Sequence, residues 1–392
     1  MVALYKFKIT KTPKKDKLSA TIAPSGKFDI PLFVVTVVLV VFGIVMVYSA
    51  SSYSAAYHQG NRFYFMNKQI IGAVAGFAAF IGFCFLDYKK LYKFRWVALI
   101  VSYILLGLVF IPGLGLEVYG ARRWIRLPFF TLQPSEIAKF GFIIFTAAYM
   151  SKNYDKMRKF KTVLPVLGAG LAMAVLIILE PNMSITMCVI LLMLSMLFLG
   201  GMKIKHFVII MLPIVALVPV LIIMEPYRMN RLVAFMNPWA SPLEEGYQLI
   251  QSFYSLGSGG LFGVGLFNSR QKYLFLPFAE SDFIFSIIGE ELGLVGAGVV
   301  ILLFVIMISR AIVISQRSQD RFGSYLASGI AAIIAIQVII NIAVVTGSIP
   351  PTGLPLPFIS AGSSSLVVFL SGIGILQSIS IRSHRSIKSL SR

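Results

Sequence analysis

Runs of about 20 apolar residues recur from Ile30 almost to the C-terminus, and that spacing confines the chain to one kind of fold. A run of this length crosses the hydrocarbon core of a bilayer as a helix, whereas a core helix of a soluble domain rarely needs so long a stretch. The runs fall at about 30–49, 69–86, 96–112, 134–150, 163–180, 183–200, 206–224, 283–309, 324–346 and 363–381. Only 13% of the residues are charged, where a soluble domain carries about 25%. The chain therefore reads as an all-α polytopic membrane protein. A single ten-span domain over 29–381 lies between a basic tail, 1–28, and a short tail, 382–392. The first run follows a long polar lead and reads as a retained span, not a signal peptide. Cys84 and Cys188 lie inside apolar runs and read as small buried hydrophobes.

The formal net charge is +20. A mean hydropathy of +0.86 excludes the nucleic-acid binder that such a charge could otherwise indicate. In a polytopic chain, excess Lys and Arg reports topology. With the N-terminus inside and the chain alternating, the inside segments are the first tail, 87–95, 151–161, 200–206, 310–322 and the last tail. Together they hold 25 of the 35 basic residues. Both termini are then cytoplasmic, and the segment 225–282 is a large extracytoplasmic loop.

The exceptions carry the chemistry. Arg62, Lys68, Arg122, Arg123, Arg126, Arg228, Arg231, Arg270 and Lys272 face outward, and Lys139 falls inside the fourth run. Charged groups within or at the mouth of a helix bundle are functional candidates, or else pair with outward acids such as Glu117, Glu225 or Glu244. Arg122 and Arg123 give adjacent guanidinium forks suited to phosphate oxygens. Pro134, Ser135 and Glu136 mark a helix start, and Lys139 stands three residues after Glu136, at the spacing of a pair. Glu180 and Pro181 make a tight turn after which Asn182 can cap a helix.

Within 225–282, Arg228 and Arg231 share one face if helical. Leu249, Ile250, Phe253 and Leu256 follow helical spacing, which predicts an amphipathic helix able to lie on the outer leaflet. Gly259, Gly260, Gly263 and Gly265 read as a flexible hinge. Asp282 stands where polar loop meets the apolar run FIFSIIG, so partial desolvation would raise its proton affinity and make it a better base; the alternative is a helix N-cap. Glu290 and Glu291, eight and nine residues on, return to roughly the same face; alternatively they pair with Lys139 or an arginine. Four prolines in 346–365 predict a rigid cap, where Ser360 can donate to sugar or phosphate oxygens; Ser360, with Glu136, Glu280 and Glu290, is a supporting candidate.

Taken together, GARRWI, QPSEIAK, NPW, GYQLIQSFYSLGSGGLFGVGL, SRQKYLFLP, SDFIFSIIGEELG and PPTGLPLPFIS resemble the SEDS family (shape, elongation, division and sporulation) over essentially the whole chain after residue 28. The opening KFDIPLFVVTVVLVVFGIVMVYSASS is most similar to the FtsW and SpoVE branch. The resemblance implies a peptidoglycan glycosyltransferase that polymerises lipid II at the outer face of the bacterial cytoplasmic membrane, partnered by a class B penicillin-binding protein and other cell-wall or division proteins. It matches the family's essential aspartate to Asp282 and its outer basic residues to Arg122, Arg123, Lys139, Arg228 and Arg231. Arg270 and Lys272 would add to a pyrophosphate clamp, and a divalent cation, Mg2+ or Mn2+, is a candidate cofactor. Two departures stand out. Glu280 occupies a position where the family commonly has histidine, and Asn182 and Ser184 stand where it has an acidic turn. A lipid II flippase and a non-catalytic scaffold are the competing readings.

Overall fold

The computed structural model describes residues 26–118, 121–126, 131–224 and 226–382. Most of both basic tails therefore lies outside the described residues. Each expected apolar run is a helix: α1 (Ile30–Gln59), α2 (Tyr64–Phe85), α4 (Arg95–Leu108), α5 (Pro134–Lys152), α6 (Phe160–Leu179), α7 (Met183–Leu199), α8 (Ile204–Ile223), α11 (Ile284–Arg317), α12 (Arg321–Val345) and α13 (Ser363–Arg382). The short α3 (Tyr88–Lys93), with α9 (Pro226–Met236) and α10 (Tyr247–Gly259), completes the helices. Six of them, α1, α2, α6, α11, α12 and α13, are long and apolar enough to cross a membrane.

The helices start and stop where local chemistry dictates. Asp29 caps α1 by accepting from Leu32 N at 3.0 Å, and Asn182 caps α7 by accepting from Ile185 N at 3.3 Å. Buried α5, α12 and α13 form the centre, against which α2, α4, α7 and α11 pack. Small residues let helices approach closely, as membrane packing requires. A Cβ on Gly72 would stand 2.8 Å from Ser363 Cα, so α2 and α13 meet almost backbone to backbone.

Two expectations need correction. The fold is not all-α: β1 (Gly115–Val118), β2 (Ala121–Arg126) and β3 (Thr131–Leu132) form an antiparallel three-stranded sheet in the order β1-β2-β3. Its β2 turns Ala121 and Ile125 inward and Arg122 outward, the period of a half-buried strand. The second concerns α10. Its inner side does not lie on a leaflet but packs on the start of α11, where the buried Ser252 and Ser286 hydroxyls are 2.8 Å apart.

The helix α11 is interrupted at Gly293, whose φ of 67° and ψ of −167° are non-helical. The glycine run expected to be a hinge instead closes this break. Val264 N and Gly265 N donate to the carbonyls of Glu290 and Glu291 at 2.9 and 3.0 Å. Leu294 N and Val295 N donate to Gly260 and Leu261 at 2.9 and 3.1 Å. Backbone approaches backbone here, and a Cβ on Gly259 or Gly263 would collide with the carbonyls of Gly289 or Glu291. The glycines are thus required by packing. Gly293→Ala adds a side chain at positive φ against Leu261, with strain of about 1–3 kcal/mol before any collision, whereas Gly298, in the helical half of α11, has open space around its Cα. We expect Gly293→Ala to lower the thermal unfolding temperature of the detergent-solubilised protein clearly and Gly298→Ala to leave it unchanged or raise it.

Candidate active site

Asp282 lies two residues before α11, in the turn that ends the 260–283 segment. It does not cap the helix: Phe283 holds the cap position, and no side chain there accepts a hydrogen bond. The carboxylate is partly buried and has two arginines within electrostatic reach, Arg231 from α9 and Arg123 from β2. Burial pushes its proton affinity up to about 6; Arg231, the Ser281 hydroxyl and Arg123 pull the other way.

The surrounding turn is held from the Pro-rich 347–362 segment. Ser360 Oγ donates to Ser281 O at 2.5 Å and accepts from Leu356 N at 2.8 Å. Ala361 N donates to Glu280 O at 2.8 Å, and Asn341 Nδ2 donates both to Asp282 O and to Leu354 O, at 2.8 and 2.7 Å. A Cβ on Gly353, at φ +75°, would stand 3.2 Å from Asp282 Oδ2, so the PTGLP turn leans directly on the carboxylate. Ser360 is therefore buried and structurally engaged, not poised for a sugar. The Glu280 carboxyl is raised above its ordinary range by burial, with Asp282 adding to the rise.

The cations are divided among four places. Arg231 Nη1 donates to Pro351 O at 3.1 Å, which docks α9 onto the same Pro-rich segment. Arg123 donates from Nε to Glu180 O at 3.4 Å and from Nη2 to Pro181 O, tying β2 to the α6–α7 turn. Arg122 instead points out of the sheet and pairs with the exposed Glu117 at 3.0 Å. Arg228 falls in α9, and its side chain lies outside the described residues. Lys139 is fully buried and pairs with Glu136 at 2.8 Å, and Glu136 also accepts from Ser365 Oγ at 3.1 Å.

Lys272 and Glu290 depart from the expected constellation. Lys272 Nζ is buried against Glu291 Oε1 at 3.2 Å, an atom that also accepts from Ser49 Oγ at 2.6 Å and Ser269 N at 3.2 Å. Glu290 accepts from Ser269 Oγ at 2.5 Å, Ser255 Oγ at 3.2 Å and Arg270 N at 2.9 Å. These acids do not return to Asp282; they anchor 269–272 to α1, α10 and the first part of α11. A buried charge must be paired, and Lys272 is consumed by that requirement. Arg270 is left exposed on the anchored segment.

Sequence reasoning passed over three contributors. Asn341 was legible as one of two amides, with Gln337, in an apolar run, and Gly353 as a glycine between prolines. In the sequence Glu180 shows only as part of a turn. It is fully buried with both carboxyl oxygens unpartnered, and burial pushes it up to about 8 against the pull of Arg123.

The family model of the FtsW, RodA and SpoVE cell cycle proteins matches residues 30–385. Stage V sporulation protein E of Bacillus subtilis is 39% identical over 353 residues, covering 90% of this chain and 96% of that protein. The probable peptidoglycan glycosyltransferase FtsW of Trichlorobacter lovleyi is 41% identical over 356 residues, covering 91% and 93%. A chain from the structure of a peptidoglycan synthase complex that coordinates polymerization and crosslinking superposes with a TM-score of 0.76 at 25% identity, covering 91% of this chain and 99% of that one. The rod shape determining protein RodA of Thermus thermophilus shares the fold, with a TM-score of 0.66 at 24% identity over 91% and 98%. This polytopic membrane protein belongs to the SEDS family, with FtsW, RodA and SpoVE.

Proposed function

We propose that the chain is a peptidoglycan glycosyltransferase in which Asp282 is the general base. The observation that carries this reading is the pairing of one partly buried carboxylate, its proton affinity raised to about 6, with two arginines from separate elements. A sugar hydroxyl attacking an anomeric carbon must lose its proton, and a carboxylate with affinity near the working pH takes it efficiently. The leaving group is a lipid pyrophosphate, which needs charge neutralisation and no proton. Arg123 and Arg231 supply that charge at fixed positions. One direct displacement inverts the anomeric centre, turning an α-linked donor into a β-linked strand.

The substrate in this reading is lipid II, and a class B penicillin-binding protein is the partner. The ten apolar helices cross the bacterial cytoplasmic membrane in turn, leaving both termini in the cytoplasm and 225–282 on the outer face. The positive-inside distribution of Lys and Arg supports that orientation. Among the described residues no group of three or more His, Cys, Asp or Glu comes together; a Mg2+ or Mn2+ ion shared with the substrate pyrophosphate would need only one or two carboxylates from the protein, and Asp282 with the neighbouring Glu280 would supply them. Arg123 and Arg231 supply the remaining neutralisation. The buried charges that a flippase would use, Lys139, Glu290 and Glu291, are each engaged, Lys139 by Glu136 at 2.8 Å, Glu291 by Lys272 at 3.2 Å and Glu290 by Ser269 Oγ at 2.5 Å.

Lipid II polymerisation by the purified protein, with and without its penicillin-binding partner and with a transpeptidase inhibitor present, tests the reading. Wild type should form glycan strands without a transmembrane gradient. Asp282→Asn should lose about 100-fold or more, the scale of a general base, while still binding lipid II. Polymer from the variant at the wild-type rate would remove Asp282 from the chemistry. Lipid II binding without polymer in every lane would favour transport or scaffolding.

A further inference from the structure

A buried carboxyl that the reaction does not use stands at the outer end of α6. Glu180 ends that helix, its backbone nitrogen donating to Ile177 O at 3.2 Å. Its side chain is fully buried, and neither carboxyl oxygen accepts a hydrogen bond among the described residues. A carboxylate buried without a donor is strongly disfavoured against the neutral acid. The C-terminal end of a helix also carries the negative pole of its dipole, which repels an anion. Burial pushes the carboxyl up to about 8, with Arg123 pulling the other way.

The turn is held so that the carboxyl stays where it is. Arg123 reaches over from β2 but bonds the main chain, Nε donating to Glu180 O at 3.4 Å and Nη2 to Pro181 O. On the far side Asn182 Oδ1 accepts from Ile185 N, and Thr186 Oγ1 donates to Asn182 O at 2.9 Å. Other charges on the neighbouring elements are committed or remote. Glu136 and Lys139 of α5 pair with each other, and Arg122 of β2 pairs with Glu117. Arg126 is exposed at the end of β2, while α4, α5 and α6 carry their remaining cations at their inner ends. The helix α7 has no charged residue and brings only the buried thiol of Cys188. Arg123 therefore couples Glu180 to the reaction site, since its charge acts on both Glu180 and Asp282.

We propose that Glu180 is a positioning residue for the polymerisation site: held as the neutral acid, it keeps negative charge away from Arg123 and so preserves that arginine's hold on the pyrophosphate of the lipid substrate. This rests on the reading of the chain as a polymerase of lipid-linked saccharides. An ionised Glu180 would draw the guanidinium towards itself and repel the pyrophosphate oxygens in a poorly screened interior. The buried acid thus sets an alkaline limit to anion binding that an amide at the same position lacks.

Undecaprenyl pyrophosphate, the leaving group without its saccharide, is the probe. Its affinity for the purified full chain in neutral detergent is measured on both sides of about pH 8. Glu180→Gln and Glu180→Met, neutral at every pH and close to Glu in size, report the titration of all other groups, the probe included. The wild-type affinity should fall roughly tenfold further than theirs as pH rises through about 8. Wild type should also lose thermal stability relative to both variants as pH climbs from the ordinary carboxylate range towards about 8, because the folded carboxyl holds its proton more tightly than an unfolded one. A purely structural acid would move the stability alone, so affinities that follow one pH course in all three proteins would overturn the proposal. If wild type makes polymer while the affinities run in parallel, this inference fails and the polymerase reading stands. If the wild-type affinity drops as expected and no polymer forms, the polymerase reading fails and the role of Glu180 in holding the pyrophosphate remains.

Discussion

The break in α11 at Gly293 is the constraint on which the outer half of the molecule depends. Ending a helix inside an apolar bundle frees backbone groups that cost several kcal/mol each if left unpaired. Here the carbonyls of Glu290 and Glu291 and the amides of Leu294 and Val295 all find partners in 260–265. That pairing demands near contact of two backbones, which is why the loop is rich in glycine. It also fixes the side chains of Glu290 and Glu291 so that they reach 269–272. The short helical segment before the break is thus clamped at its far end by both backbone and side chain. Asp282, at its near end, inherits a defined position.

The Asp282 carboxylate gains its chemistry from the same burial that makes it costly. Desolvation raises its proton affinity, and the arginines limit the rise, so the group is balanced near neutrality instead of being locked as acid or anion. The balance is assembled from distant parts of the chain. Arg123 arrives on a strand pinned to the α6–α7 turn, Arg231 on a helix pinned to Pro351, and Gly353 with Ser360 on the Pro-rich cap. Moving any one of these elements changes the electrostatics of the others, so the site depends on the packing of the outer layer as a whole.

The helices were legible because a bilayer imposes length and hydropathy directly on the sequence, and the ten apolar runs coincide with ten helices. Asp282 was legible because it stands at the polar–apolar boundary. Lys139 with Glu136 followed from helical spacing. Other features could not be read locally. The small sheet of β1, β2 and β3 is set by pairing between strands, not by a strong β-pattern. The glycine run gives the same signal for a hinge as for a close backbone contact. Lys272 and Arg270, two residues apart and chemically alike, differ only because Glu291 lies in reach of one and not the other. Such distinctions belong to tertiary structure.

The most direct test of the account is the pH dependence of lipid II polymerisation, measured for wild type and Arg231→Gln. A base must be deprotonated to act, so the wild-type rate should fall about tenfold per unit below the Asp282 value, which stands at about 6, and level off above it. Arg231 holds that value down, so its removal should shift the acid limb to higher pH as well as lowering the plateau. An acid limb that stays in place in Arg231→Gln, or a wild-type rate indifferent to pH across this range, would contradict the assignment of Asp282 as a base tuned by burial and arginine.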